Sequence, residues 1–114
     1  MQELKNKIIL IASPELKTFK SRAGGLGQVV EELAKALAEE GLKIYVTSCL
    51  YKYLTIDAYK KEIDFSDLNL EDKGEIEVEI DKKYKTKIYT TQKYGANFIF
   101  VFNEELTESL YIGD

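Results

Sequence analysis

Between residues 7 and 48 the hydrophobic period of the sequence changes twice, and this alternation limits the possible folds more than any other feature. Residues 7–12, KIILIA, hold a continuous apolar run, the pattern of a strand buried on both faces of a parallel sheet. Pro14 interrupts it, and residues 13–24 read as a polar loop. Leu26, Val29, Val30, Leu33 and Leu37 then recur at helical spacing and predict one apolar stripe, with Glu31, Glu32, Lys35, Glu39 and Glu40 mostly outside it. Ala34, Ala36 and Ala38 add helix propensity, and Gly41 stands where a helix stops on a left-handed residue. KIYVTS at 43–48 reads as the next strand. Strand, helix and strand in so short a stretch form a βαβ unit, which is almost always right-handed.

Downstream the pattern loosens and then changes period. Residues 50–72 predict a helical turn or two near 54–63 between polar ends. From Gly74, Ile76, Val78 and Ile80 alternate with Glu75, Glu77 and Glu79, while Tyr84, Thr86 and Ile88 alternate with Lys85 and Lys87. The expected hairpin faces Ile80 with Tyr84 across a three-residue loop, so that Glu79 opposes Lys85 and Glu77 opposes Lys87. Such pairs contribute roughly 0.2–1 kcal/mol each. One wet face marks this hairpin as a sheet edge, and NFIFVFN at 97–103 predicts an apolar strand returning to the interior.

Composition narrows the chemistry. The chain of 114 residues suits one domain, and it contains no histidine and one cysteine, Cys49. Serine–histidine and cysteine–histidine nucleophile pairs are therefore excluded, and no metal site is expected. A net charge of −4 argues against a surface that tracks nucleic acid. No apolar run reaches the roughly 18–20 residues that span a bilayer, and the opening apolar run is too short for a secretory signal, so the expected location is cytoplasmic.

Gly24, Gly25 and Gly27 fall where the first strand turns into the helix. Ligands of open α/β folds bind at this end of the sheet, and a helix amino terminus presents unpaired N–H groups and a positive dipole end. Glycines let an anion reach those amides without meeting a Cβ, and Lys20 and Arg22 could balance its charge. The loop lacks the spacing of the dinucleotide fingerprint and the Lys-Ser/Thr of a P-loop. A tight turn with close helix–strand packing is the alternative explanation of the same glycines.

The stretch IILIASPELKTFKSRAGGLGQVVEELAKALAEEGLKIYVTSCLY resembles the opening of bacterial glycogen and plant starch synthases. That opening has a strand ending in Ala-Ser-Glu, a Lys-x-Gly-Gly-Leu loop, a helix with Leu-x-x-Ala-Leu, a glycine, and a strand ending near Pro-x-Tyr. The likeness continues in order through the hairpin, NFIFVFN and LYIGD, and covers roughly the first quarter of the family's chain. It implies that residues 1–114 form one incomplete Rossmann-like domain, the amino-terminal part of a GT-B fold. The family transfers glucose from a nucleotide sugar, typically ADP-glucose in bacteria, to an α-1,4-glucan with retention. By this resemblance Gly24 and Gly25 would offer amides to the donor's distal phosphate, within a segment that also includes Leu26. Arg22 stands where the family has its loop lysine, Glu15 for the carboxylate after the first strand, and Tyr51 for the tyrosine after the second.

The sequence departs from the family at four places. Arg22 replaces lysine, Gln28 replaces an acidic residue on the first helical turn, Cys49 replaces proline, and two extra residues separate Ser13 from Gly24. The family's cleft histidine and second-domain lysine, arginine and glutamates have no counterpart here, so no catalytic residue and no cofactor is expected in this stretch. Its partners would be ADP-glucose and α-glucan. The seven tyrosines from Tyr51 to Tyr111 could supply sugar-stacking faces, although half-buried strand positions explain most of them. DKKYKTK at 81–87 reads as a solvated hairpin tip. A second class is a non-catalytic binding or self-associating module, since one helix cannot cover both faces of a sheet and a homo-oligomer would bury the bare one. A glucan phosphorylase relative would need a pyridoxal-phosphate lysine outside this stretch.

Overall fold

The computed structural model of the chain describes residues 3, 6–14, 16, 26–56, 65–107 and 109–112. Among the described residues seven strands and one α-helix follow in the order β1 (Ile8–Ala12), α1 (Leu26–Glu39), β2 (Lys43–Cys49), β3 (Tyr53–Ile56), β4 (Glu71–Glu79), β5 (Lys83–Lys93), β6 (Ala96–Phe102) and β7 (Ser109–Ile112). A 3-10 turn at Ser66–Leu68 precedes β4. The main sheet has the order β1-β2-β6-β5-β4, and β3 pairs with β7 in a second, two-stranded sheet. β1, β2 and β6 run parallel, while β5 and β4 complete an antiparallel meander. The βαβ unit and the return of NFIFVFN to the sheet interior therefore match the sequence.

The core lies between α1 and one sheet face. Ile44, Val46, Phe98 and Phe100 are fully buried there, with Leu42 and Leu50 close behind. The residues that α1 buries are Gly27, Val30, Glu31 and Ala34, whereas Val29 is 63% and Leu33 49% exposed. The apolar stripe expected on 26–37 is thus met in part, with Val30 and Leu37 against the core and Val29 and Leu33 rotated away from it. Close approach explains the rotation: small residues meet the strands, and a Cβ on Gly95 would stand 3.4 Å from that of Ala38.

Burial of the first strand on both faces was also not met. β1 forms an edge, and Ile8 and Leu10 are 65% and 63% exposed on the face opposite α1. No helix covers that face among the described residues. The helical turn expected near 54–63 is replaced at its start by β3, which pairs in parallel with β7; residues 57–64 lie outside the described residues.

The hairpin forms in a different register. Glu79 opposes Lys83, Glu77 opposes Lys85 and Glu75 opposes Lys87, so the turn is residues 80–82 and not 81–83. The Ile80 N–H donates to the Lys82 carbonyl at 3.1 Å. Tyr84 sets this choice by pairing with Val78, burying its ring, and donating its hydroxyl to Asp81 Oδ1 at 2.7 Å. Opposed charges survive the shift because both strands alternate. The expected edge position is correct, since β4 closes the sheet. β5 and β6 are joined by Tyr94 and Gly95, with φ of 57° and 77°, the two left-handed residues of a type I′ turn.

Candidate functional site at the carboxyl end of the sheet

Parallel pairing brings the carboxyl ends of β1, β2 and β6 to one end of the sheet, and α1 begins at that same end with Leu26. Its first turn carries no acidic residue, so no carboxylate on that turn neutralises the positive end of the helix dipole. Gln28 is exposed on that turn.

Two hydrogen bonds fix the start of the loop between β1 and α1. The Ser13 N–H donates to the Thr47 carbonyl at 3.1 Å, extending the ladder one residue past β1. The Tyr51 hydroxyl donates to the Pro14 carbonyl at 2.7 Å, across 37 positions of sequence. Tyr51 is only 8% exposed, so its ring is anchored as its hydroxyl holds the loop. The resemblance assigns Tyr51 to ligand contact, and in the fold its hydroxyl also ties it to the protein's own backbone.

A shallow cavity of about 310 Å³ opens among these strand ends, lined by Ala12, Ser13, Pro14, Ser48, Cys49 and Val101 together with Thr47. Burial raises the Cys49 pKa above its ordinary value, and a hydrogen bond with Tyr51 opposes that only in part. The thiol therefore stays protonated near neutral pH and is a poor nucleophile. Ser48 Oγ is buried and finds no hydrogen-bond partner among the described residues. A second cavity, of about 370 Å³, lies on the α1 side between Leu50, Phe65, Tyr89 and Phe102, with the Lys52–Glu104 ion pair at 3.6 Å on its wall.

The structure thus brings Leu26, Gln28 and Tyr51 to one end of the sheet. Glu15, Arg22, Gly24 and Gly25 lie outside the described residues. Sequence reasoning missed two features at this end. One is Ser48, which sits in an apolar strand and gives no local signal. The other is the turn after β6, where Asn103 accepts from the Glu105 and Leu106 N–H groups at 2.8 and 2.9 Å and donates to the Lys85 carbonyl at 2.9 Å. An Asn closing an apolar strand is the signal that could have shown it. Among the described residues no cluster of His, Cys, Asp or Glu could hold a metal ion, and no helix is long and apolar enough to cross a membrane.

Comparison with known proteins agrees with this geometry. Residues 8–114 match the family model of the starch synthase catalytic domain. The fold is similar to the catalytic domain of Starch Synthase IV from Arabidopsis thaliana, solved bound to ADP and acarbose, with a TM-score of 0.65 and 24% identity. The match covers 94% of this chain and 21% of that one, so the chain spans about a fifth of the neighbour's length. No curated protein matches the sequence.

Proposed function

Since the chain belongs to the starch synthase catalytic-domain family, we propose that residues 1–114 are one incomplete Rossmann-like domain forming the donor-side wall of a glucosyltransferase cleft. The proposed donor is ADP-glucose, the acceptor an α-glucan, and the setting the cytoplasm. Gly24 and Gly25 offer main-chain amides to the donor's distal phosphate, and Arg22 balances its charge in place of the family lysine. Leu26 opens the helix whose dipole adds to that field, and Gln28 is its neutral rim. Tyr51 positions the loop through Pro14, while Glu15 orients a sugar hydroxyl.

The observation that carries this reading is the meeting of the β1 and β2 ends with the acid-free first turn of α1 at one end of the sheet. There an anion gains from both the amides and the dipole. Stabilising charge on a departing nucleotide requires convergent groups from an opposite wall, so this segment binds donor without transferring glucose. Calorimetry with ADP, ADP-glucose and maltooligosaccharides, run beside a glucosyl-transfer assay, tests both parts. Binding of ADP without turnover agrees with the reading. Turnover by the 114-residue chain contradicts the second part, and silence toward every ligand contradicts the first.

A second reading, a self-associating module, is favoured by the uncovered sheet face with Ile8 and Leu10 at its border.

A further inference from the structure

β2 and β6 separate where the candidate site begins. Their last ladder pair is Cys49 with Val101, and the Leu50 N–H extends it by donating to the Val101 carbonyl at 2.9 Å. Beyond that point the Lys52 N–H donates to the Thr107 carbonyl at 3.1 Å. Tyr51 stands between these two ties, buried, with its hydroxyl on the Pro14 carbonyl at 2.7 Å. Whatever fixes Thr107 relative to Val101 therefore also fixes Tyr51, and with it the root of the loop between β1 and α1.

Residues 103–107 fill that interval, and a ring of hydrogen bonds closes them. The Thr107 N–H donates to the Asn103 carbonyl at 2.9 Å, and the Thr107 hydroxyl donates to the same carbonyl at 2.9 Å. That hydroxyl also accepts from the Asn103 N–H at 3.0 Å. One side-chain oxygen thus acts as donor and acceptor on the backbone of a single residue, which a valine of similar shape cannot do. Thr107 and Asn103 are both buried, so water does not freely replace these bonds. The Asn103 amide then fastens the ring to β5 through the Lys85 carbonyl at 2.9 Å. The Lys52–Glu104 ion pair is the weaker tie, at 3.6 Å with the Glu104 side chain 72% exposed.

We propose that Thr107 is a positioning residue for the donor loop. Its hydroxyl closes the 103–107 turn, the turn holds Lys52 and so Tyr51, and Tyr51 holds Pro14. This rests on the donor-wall reading of the same end of the sheet. Thr107 acts on bound donor only through the Lys52–Thr107 and Tyr51–Pro14 hydrogen bonds, both made within the chain. The physical reason is preorganisation. An anion gains from main-chain amides that already converge, whereas a loop that must first be ordered lowers the observed affinity.

Calorimetric titration with ADP of the wild-type chain, Thr107→Val, Thr107→Ser, Tyr51→Phe and the Thr107→Val/Tyr51→Phe double variant tests this, with Tm measured on each. Thr107→Val should raise the ADP dissociation constant about fivefold, the worth of one average hydrogen bond. Thr107→Ser keeps the hydroxyl and should stay within about twofold of wild type. Tyr51→Phe should also weaken binding about fivefold, and the double variant about fivefold again, not the roughly 25-fold of independent effects. A valine variant that melts earlier yet binds ADP as wild type does, or a double variant showing the full product, overturns the inference.

Hydrogen exchange gives a readout that needs no ligand. Thr107→Val and Tyr51→Phe should each speed exchange of the Ser13 amide, which donates to Thr47, more than that of Val46 in the core. If the wild-type chain binds no ADP, the donor wall fails and Ser13 decides for Thr107 alone: faster exchange in both variants supports the positioning, and unchanged exchange overturns it. If Thr107→Val does not fold, Tyr51→Phe answers by reciprocity, because releasing Pro14 should quicken exchange of the Lys52 amide. An unaffected Lys52 amide then overturns the inference.

Discussion

Replacing Asn103 by alanine tests whether a single side chain holds the strand end that borders the candidate site. Asn103 is 8% exposed and its side chain makes three hydrogen bonds, two accepted from the turn and one donated to β5. An average intramolecular hydrogen bond contributes about 0.5–1.5 kcal/mol net. Glu105 and Leu106 are exposed, so their released N–H groups regain water and each bond counts at about 0.5 kcal/mol. The bond to the Lys85 carbonyl, which ties the turn to β5, counts at about 1 kcal/mol. The sum is about 2 kcal/mol, or about 8 °C in Tm for a domain of this size. The backbone bond from Thr107 N–H to the Asn103 carbonyl, at 2.9 Å, is untouched, so the turn itself survives. Asn103→Asp keeps the acceptor and loses only the donor, which predicts about half the loss. Urea denaturation followed by circular dichroism measures both variants. An alanine variant within about 0.5 kcal/mol of wild type, or an aspartate as damaging as alanine, would refute the reasoning.

Two further outcomes follow from particular contacts. The hydrogen bond to Asp81 pushes the Tyr84 pKa up to about 12, so one phenol should ionise well after the others in a titration followed at 295 nm, and Asp81→Asn should bring it down toward about 10. A folded-state pKa above the unfolded value favours the fold below about pH 10 and loses that contribution as pH rises toward 12. For Asp81 the shift is downward, from its bond to Tyr84 first, so its contribution is present above the ordinary carboxylate range and fades as pH falls through the lowered value. On α1, Val30→Ala should cost about 1.6 kcal/mol for two buried carbons, while Val29→Ala should change stability by less than about 0.5 kcal/mol. Equal losses at the two positions would contradict the observed rotation of the helix.

What the sequence made legible was whatever a period can encode. The change from the run at 7–12 to helical spacing and back gave the βαβ unit, and the alternation at 75–88 gave the hairpin. Period does not report which strand lies at an edge, and so the apolar β1 read as doubly buried although Ile8 and Leu10 are open. Nor does it report how closely a helix approaches. Gly27, Ala34 and Ala38 drew α1 down on its small side and left Val29 and Leu33 out. The hairpin register turned on one long-range fact, the Tyr84–Asp81 bond, that alternation alone cannot supply. At the candidate site the glycine run was singled out by its place between strand and helix and Tyr51 by resemblance, while the hold of Tyr51 on Pro14 needed the fold, because it joins residues 37 positions apart.

In the proposed function, main-chain amides at the β1–α1 turn receive an anion. Heteronuclear NMR of the nitrogen-labelled chain, titrated with ADP, reads those amides directly. Gly24 and Gly25 should shift saturably, with Gly41, Gly74 and Gly95 unmoved, and Arg22→Ala should weaken the response. Saturable ADP binding that leaves Gly24 and Gly25 in place would contradict it.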